Sequence, residues 1–100
     1  LKLYQEALAF DKRVLPPDHP HIATSMYNLA VTYSCLGRHA DALELHQEAL
    51  AFQKRVLPQY SHPVIAKSMN SLARTLSNLG RHADALKLYQ EALEFQKRIL

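Results

Sequence analysis

LGRHADALELHQEALAFQKRVL, residues 36–57, returns as LGRHADALKLYQEALEFQKRIL at residues 79–100, and its second half stands at the amino terminus as LKLYQEALAFDKRVL, residues 1–15. One helical unit copied at a step of 42 or 43 residues defines an all-α solenoid, in which each unit buries its apolar face only by stacking on the next. The two glycines of the chain, Gly37 and Gly80, both fall in LGRH, where a helix needs a residue able to adopt the left-handed conformation. The prolines punctuate the other connection, Pro16, Pro17 and Pro20 in LPPDHPHIA and Pro58 and Pro63 in LPQYSHPVIA, and Pro20 and Pro63 read as first-turn residues of new helices.

These marks predict five helices near 1–15, 20–36, 39–57, 63–79 and 82–100. Helices that start at proline are called type A and those after glycine type B, so the order is B, A, B, A, B. The chain then divides into a partial repeat at 1–15, a full repeat at 16–57 and a second at 58–100, all within one array. The second B-to-A connection carries one more residue than the first, an insertion that a loop absorbs at little cost.

Type B helices carry a wide apolar face, in residues 39–57 Ala42, Leu43, Leu45, Ala49, Leu50, Phe52, Val56 and Leu57. So wide a face suits contact with two A helices, its own and that of the next unit. Type A helices show Ile22, Met26, Leu29, Ala30 and Tyr33, then Ile65, Met69, Leu72, Ala73 and Leu76. Alanines at 30, 42, 49, 73, 85 and 92 let backbones approach while the larger residues fill the gaps. Antiparallel helical hairpins stacked side by side follow.

These residues resemble the tetratricopeptide repeat, in the 42-residue form found in kinesin light chains. The family's sequence of large residue, Leu, small residue, Tyr, Gly, Ala, aromatic and Ala corresponds to Met26, Leu29, Ala30, Tyr33, Gly37, Ala42, His46 and Ala49. In the second unit it corresponds to Met69, Leu72, Ala73, Leu76, Gly80, Ala85, Tyr89 and Ala92, while Tyr4 and Ala7 close the opening fragment. The turn Asp18-His19-Pro20 is similar to the turn common in kinesin light chains; Met26, His46, Leu76 and Ser61-His62-Pro63 depart from the pattern. The resemblance implies a right-handed superhelix whose A helices line a concave groove for an extended peptide.

Within the chain, the B helices of the two full units differ at only four positions between Gly37–Leu57 and Gly80–Leu100, whereas the A helices differ at 24/67, 27/70, 28/71, 31/74, 33/76 and 35/78. Most of these lie on the face implied to line the groove. The candidate peptide-binding residues are Tyr27, Asn28, Val31, Lys67, Asn70, Arg74 and Asn78. Asparagine offers a peptide backbone both a donor and an acceptor, and Lys67 and Arg74, two turns apart, can address one acidic ligand. The expected function is a protein-interaction scaffold that binds an acidic segment, as the resemblance to kinesin light chain grooves implies.

A second expectation is self-association. The array begins and ends on B helices in nearly the same sequence, so Leu3, Ala7, Leu8 and Phe10 at one end and Leu86, Leu93 and Phe95 at the other are expected to leave apolar surface open. Such ends suit head-to-tail stacking or exchange of helices between copies. Lacking an initial Met and opening inside a repeat, the chain reads as cut from a longer array.

Charge and composition exclude other classes. The net charge of +3 is small, and the pairs Lys12-Arg13, Lys54-Arg55 and Lys97-Arg98 sit at the carboxyl ends of B helices, where the helix dipole favours cations, so nucleic acid is not the expected partner. Apolar runs are too short for a membrane span. The single cysteine, Cys35, forms no internal disulfide and suits the reducing cytoplasm. The six histidines are mostly repeat positions, His19/His62 and His39/His82, one unit apart and unable to share a zinc ion. No catalytic residue, metal site or cofactor is expected.

Overall fold

The computed structural model describes residues 2–56 and 62–99, and the side chains of His62 and Ile99 are outside that description. Leu57, the turn 57–61 with its extra residue, and Leu100 therefore lie outside the described residues. The described chain forms α1 (Lys2–Val14), α2 (Pro20–Cys35), α3 (His39–Val56), α4 (His62–Asn78) and α5 (His82–Ile99). Helices α1, α3 and α5 are type B and α2 and α4 type A, in the order that the glycines and prolines dictate.

Both glycines carry positive φ, 78° at Gly37 and 79° at Gly80. The left-handed residue turns the next two amides back onto the helix: Gly37 N–H donates to Ser34 O at 3.0 Å and Arg38 N–H to Tyr33 O at 2.9 Å. Gly80 and Arg81 repeat these bonds to Ser77 and Leu76, both at 2.9 Å. Two carbonyls left open by each helix end are thereby satisfied. The arginine after glycine then grips the following helix, Arg38 Nε donating to Asp41 Oδ2 at 2.8 Å and Arg81 Nε to Asp84 Oδ2 at 3.0 Å. At the other connection His19 caps α2 with its ring, accepting at Nδ1 from His21 N–H at 3.1 Å, and Pro20 follows where no amide hydrogen is needed.

The substantial helix contacts run between chain neighbours, α1 with α2, α2 with α3, α3 with α4 and α4 with α5. The Cα positions span 36 × 32 × 14 Å. The short dimension is about one interhelical distance plus a helix backbone diameter, so A and B helices form two layers. One core cluster joins Leu8, Ile22, Ala23, Met26, Leu29, Ala49 and Phe52, and a second joins Leu50, Ile65, Met69, Leu72, Ala73, Leu76, Ala85 and Ala92. Helix α3 contributes to both, as its wide apolar face requires. Ala30, Ala42, Ala49 and Ala73 are fully covered, small side chains that let the layers approach closely.

Two polar pairs cross the B-to-A seams inside this apolar packing. Ser25 Oγ donates to Asp11 Oδ2 at 2.5 Å between α1 and α2, and Ser68 Oγ donates to Gln53 Oε1 at 2.5 Å between α3 and α4. All four residues are buried. Asp11 and Gln53 are the same repeat position, as are Ser25 and Ser68, so each seam carries one hydrogen-bonded pair that fixes the register of the next hairpin.

Candidate functional site

Helices α2 and α4 lie side by side in the A layer, and their facing residues build the candidate site from the expected positions 27, 28 and 67. Tyr27, Asn28 and Lys67 line a cleft of about 230 Å3 together with Thr24, Val64, Ser68 and, at its floor, Gln53 of α3. Val31, Asn70, Arg74 and Asn78 do not line this cleft. Val31, Arg74 and Asn78 are exposed on the same helices, and Asn70 is half-buried.

Tyr27 is the centre of the arrangement. Lys67 Nζ stands 5.4 Å from its ring centroid, a cation–π contact between the two A helices. Its hydroxyl is 2.9 Å from Ser71 Oγ, and its ring meets His46 edge to face at 5.6 Å and 70°. The variable positions 27 and 71 thus tie one A helix to the next. Tyr27 and Lys67 both line the cleft, while the phenol oxygen is engaged by Ser71.

Beneath Tyr27, His46 is 2% exposed and its Nδ1 has no hydrogen-bond partner among the described residues. Burial, and secondarily the charge of Arg74, lower its pKa from 6.5 to about 4, so the ring is neutral at pH 7. His46 replaces the aromatic of the repeat pattern and serves as one, a flat ring under Tyr27. Sequence reading noted the replacement without seeing that the ring is buried between two A helices. Positive charge above it belongs to Lys67 and Arg74, both exposed.

The cleft residues Thr24, Val64, Gln53 and Ser68 were not among the expected site residues. Position 24 pairs with 67 in the repeat and differs from it, a signal present in the sequence; Gln53 and Ser68 are alike between units and gave none. The basic pairs of the B helices act structurally where the contacts are described: Arg13 covers Phe10 at 5.5 Å and Arg55 covers Phe52 at 5.1 Å, with Asp18 3.9 Å from Arg55. Cys35 is a free, exposed thiol, and among the described residues no three His, Cys, Asp or Glu side chains gather as metal ligands.

At the ends of the array the expectation divides. Leu3, Ala7 and Phe10 are exposed on α1, and Leu86 and Leu93 on α5. Leu8 is not exposed: only 8% of its surface is accessible, because it faces α2, where it joins Ile22 and Met26. Phe95 is half-buried, because it faces α4 and packs against the second core cluster.

Family models described as tetratricopeptide repeat match residues 1–55 and residues 65–100. The chain belongs to the tetratricopeptide repeat family, whose members are in general protein–protein interaction modules and typically non-catalytic. Among solved structures, a Podosopora anserina putative kinesin light chain with nearly identical TPR-like repeats superimposes with a TM-score of 0.83 at 27% identity, covering 99% of this chain and 46% of that one. A single-substitution variant of that protein superimposes with a TM-score of 0.85 at the same identity and coverage. The chain therefore spans about half the length of these structures and shares their kinesin light chain-like repeat architecture. No curated protein matches the chain significantly. No described helix is long and apolar enough to cross a membrane.

Proposed function

We propose that the chain is a scaffold that binds an extended acidic peptide across α2 and α4. The observation that carries this reading is the cleft between the two A helices, with Lys67 held over Tyr27 at its wall and Arg74 exposed two turns further along α4. Two cations spaced along one helix match carboxylates spaced along an extended strand, while the edge of Tyr27 and the side chain of Val64 give apolar contact. Asn28, Asn70 and Asn78 add amides able to hold a peptide backbone, and Val31 widens the apolar part of the surface.

The reading is tested by fluorescence anisotropy with a labelled peptide containing an aromatic residue flanked by aspartates and glutamates. Arg74→Ala and Lys67→Ala should each weaken binding about three- to tenfold, and Asn70→Ala less, with helical content unchanged. Binding should also fall as salt rises, since exposed cations carry the recognition. Equal affinity in wild type and in the Lys67→Ala/Arg74→Ala double variant would remove the A-helix face as the binding surface.

A further inference from the structure

The cleft between α2 and α4 has a polar floor. Gln53 of α3 closes it from behind the A layer and is itself only 4% exposed. Its Oε1 accepts from Ser68 Oγ, a bond that uses the serine hydrogen, while its Nε2, with two N–H groups, has no partner among the described residues. The sealed polar atoms that lack a partner there are Nδ1 of His39 and Nδ1 of His46, so the Gln53 nitrogen opens onto the cleft that its side chain lines. The seam one unit earlier is different. Asp11 stands at the Gln53 position and His21 at the Val64 position, and Asp11 Oδ2 accepts from Ser25 Oγ and lies 3.6 Å from His21 Nε2. A carboxylate has no hydrogen to offer, and this one finds its partners within the chain. With Gln for Asp and Val for His, the second seam holds donors that the chain itself leaves unused.

Lys67 adds a charged donor to the same cleft. Its ammonium stands 5.4 Å from the Tyr27 ring centroid, and among the described residues no carboxylate pairs with it. The space of about 230 Å3 is thus rich in donors and positive, with Val64 as an aliphatic wall. We propose that it receives, end on, the side chain of one glutamate of a bound peptide, the carboxylate lying between Lys67 Nζ and Gln53 Nε2 and the methylenes against Val64 and the edge of Tyr27. This subsite belongs to the acidic-peptide groove proposed above and stands only if that groove binds. Within it Gln53, a B-helix residue, selects the acid that enters.

Other side chains meet the cleft less well. An aromatic ring pressed onto the floor covers the Gln53 N–H groups and leaves them unpaired, at the cost of their lost hydration. Glutamine reaches as far as glutamate but brings no charge to Lys67. Aspartate brings the charge but is one methylene shorter, and the floor belongs to the B layer, behind the helices across which the peptide runs. Glutamate has both the charge and the reach. Helices α2, α3 and α4 each pack on a described neighbour at both sides, so the cleft is interior to the array.

Fluorescence anisotropy on the full chain tests this, with circular dichroism on each variant. The probe is a labelled, carboxyl-amidated peptide with one aromatic residue flanked by aspartates, in which glutamate, glutamine or alanine replaces each aspartate in turn; a version with a free carboxyl end is run beside it. Glutamate at one position should tighten binding about fivefold, and glutamine or alanine there should not. Gln53→Met keeps the volume and leaves Ser68 able to donate to its own helix, as Thr75 does to Ser71 O. In that variant the glutamate gain should vanish while the all-aspartate peptide binds as before. Gln53→Glu, for which buried Asp11 is the precedent, should make glutamate the weaker ligand at that position, because two carboxylates then meet. Should Gln53→Met fail to fold, the wild-type scan and Gln53→Glu still decide. No gain from glutamate at any position, or an equal loss for every peptide in the Gln53 variants, overturns the subsite while binding that depends on Lys67 and Arg74 keeps the groove. A gain supplied by the free carboxyl end alone assigns the cleft to a chain terminus and overturns the proposal likewise, and failure of every peptide to bind overturns groove and subsite together.

Discussion

A neutral imidazole buried under Tyr27 gives the molecule a dependence on acid that its exposed charges do not. The pKa of His46 is about 4 in the folded chain, against 6.5 when exposed. Between those values the unfolded chain takes up a proton that the folded chain refuses, so stability is complete above about pH 6.5 and is lost as pH falls toward 4. After allowance for partial screening the loss is on the order of 2 kcal/mol. His46→Phe keeps a flat ring against Tyr27 and removes the titration, so urea midpoints measured from pH 7 to pH 4 should fall more steeply for wild type than for the variant. The glycines make a second residue-scale case. At Gly80, φ is +79° and a Cβ would meet nothing within 4 Å, so Gly80→Ala costs only backbone strain, about 1 kcal/mol. Asparagine tolerates the left-handed region better, and thermal melts should rank Gly80→Asn between wild type and Gly80→Ala.

At the scale of helices, the boundaries were legible because their chemistry is local: a proline that lacks an amide hydrogen and a glycine that can turn left act on their own neighbours. The apolar seams were legible for a similar reason, since Leu and Ala recur in helical phase and the repeat shows each phase twice. What the sequence concealed were the polar residues inside those seams. Asp11 and Gln53 stand in phase with Leu8 and Leu50, three residues on, yet a carboxylate or amide in an apolar stripe reads as surface until its serine partner on another helix is known. Tyr27 was ambiguous in a related way, because variation between units marks a ligand-facing residue and a helix-to-helix contact alike, and pairing it with Ser71 required the packing of α2 on α4. The seam pair also carries a measurable energy. Ser68→Ala leaves Gln53 Oε1 without its donor and should cost about 1–2 kcal/mol in urea denaturation. Adding Gln53→Met removes the unpaired amide at similar volume, and the double variant should regain most of that loss.

For the molecule as a whole, stability is distributed along a line. The two helix layers together span only 14 Å between Cα positions and have no common centre, and each helix draws its packing from the helices before and after it. Helix α3 has a neighbour on both seams and enters both core clusters, while α1 has one neighbour and contributes a single core leucine, Leu8. Opening α1 uncovers Leu8 and the Asp11–Ser25 pair; opening α3 breaks both clusters and separates the two halves of the array. Native-state amide exchange should therefore order the B helices, with protection in α3 near the global unfolding value and in α1 lower by at least about 2 kcal/mol, whereas intermediate values should mark α5. Equal protection across α1, α3 and α5 would mean that the array opens as one cooperative unit.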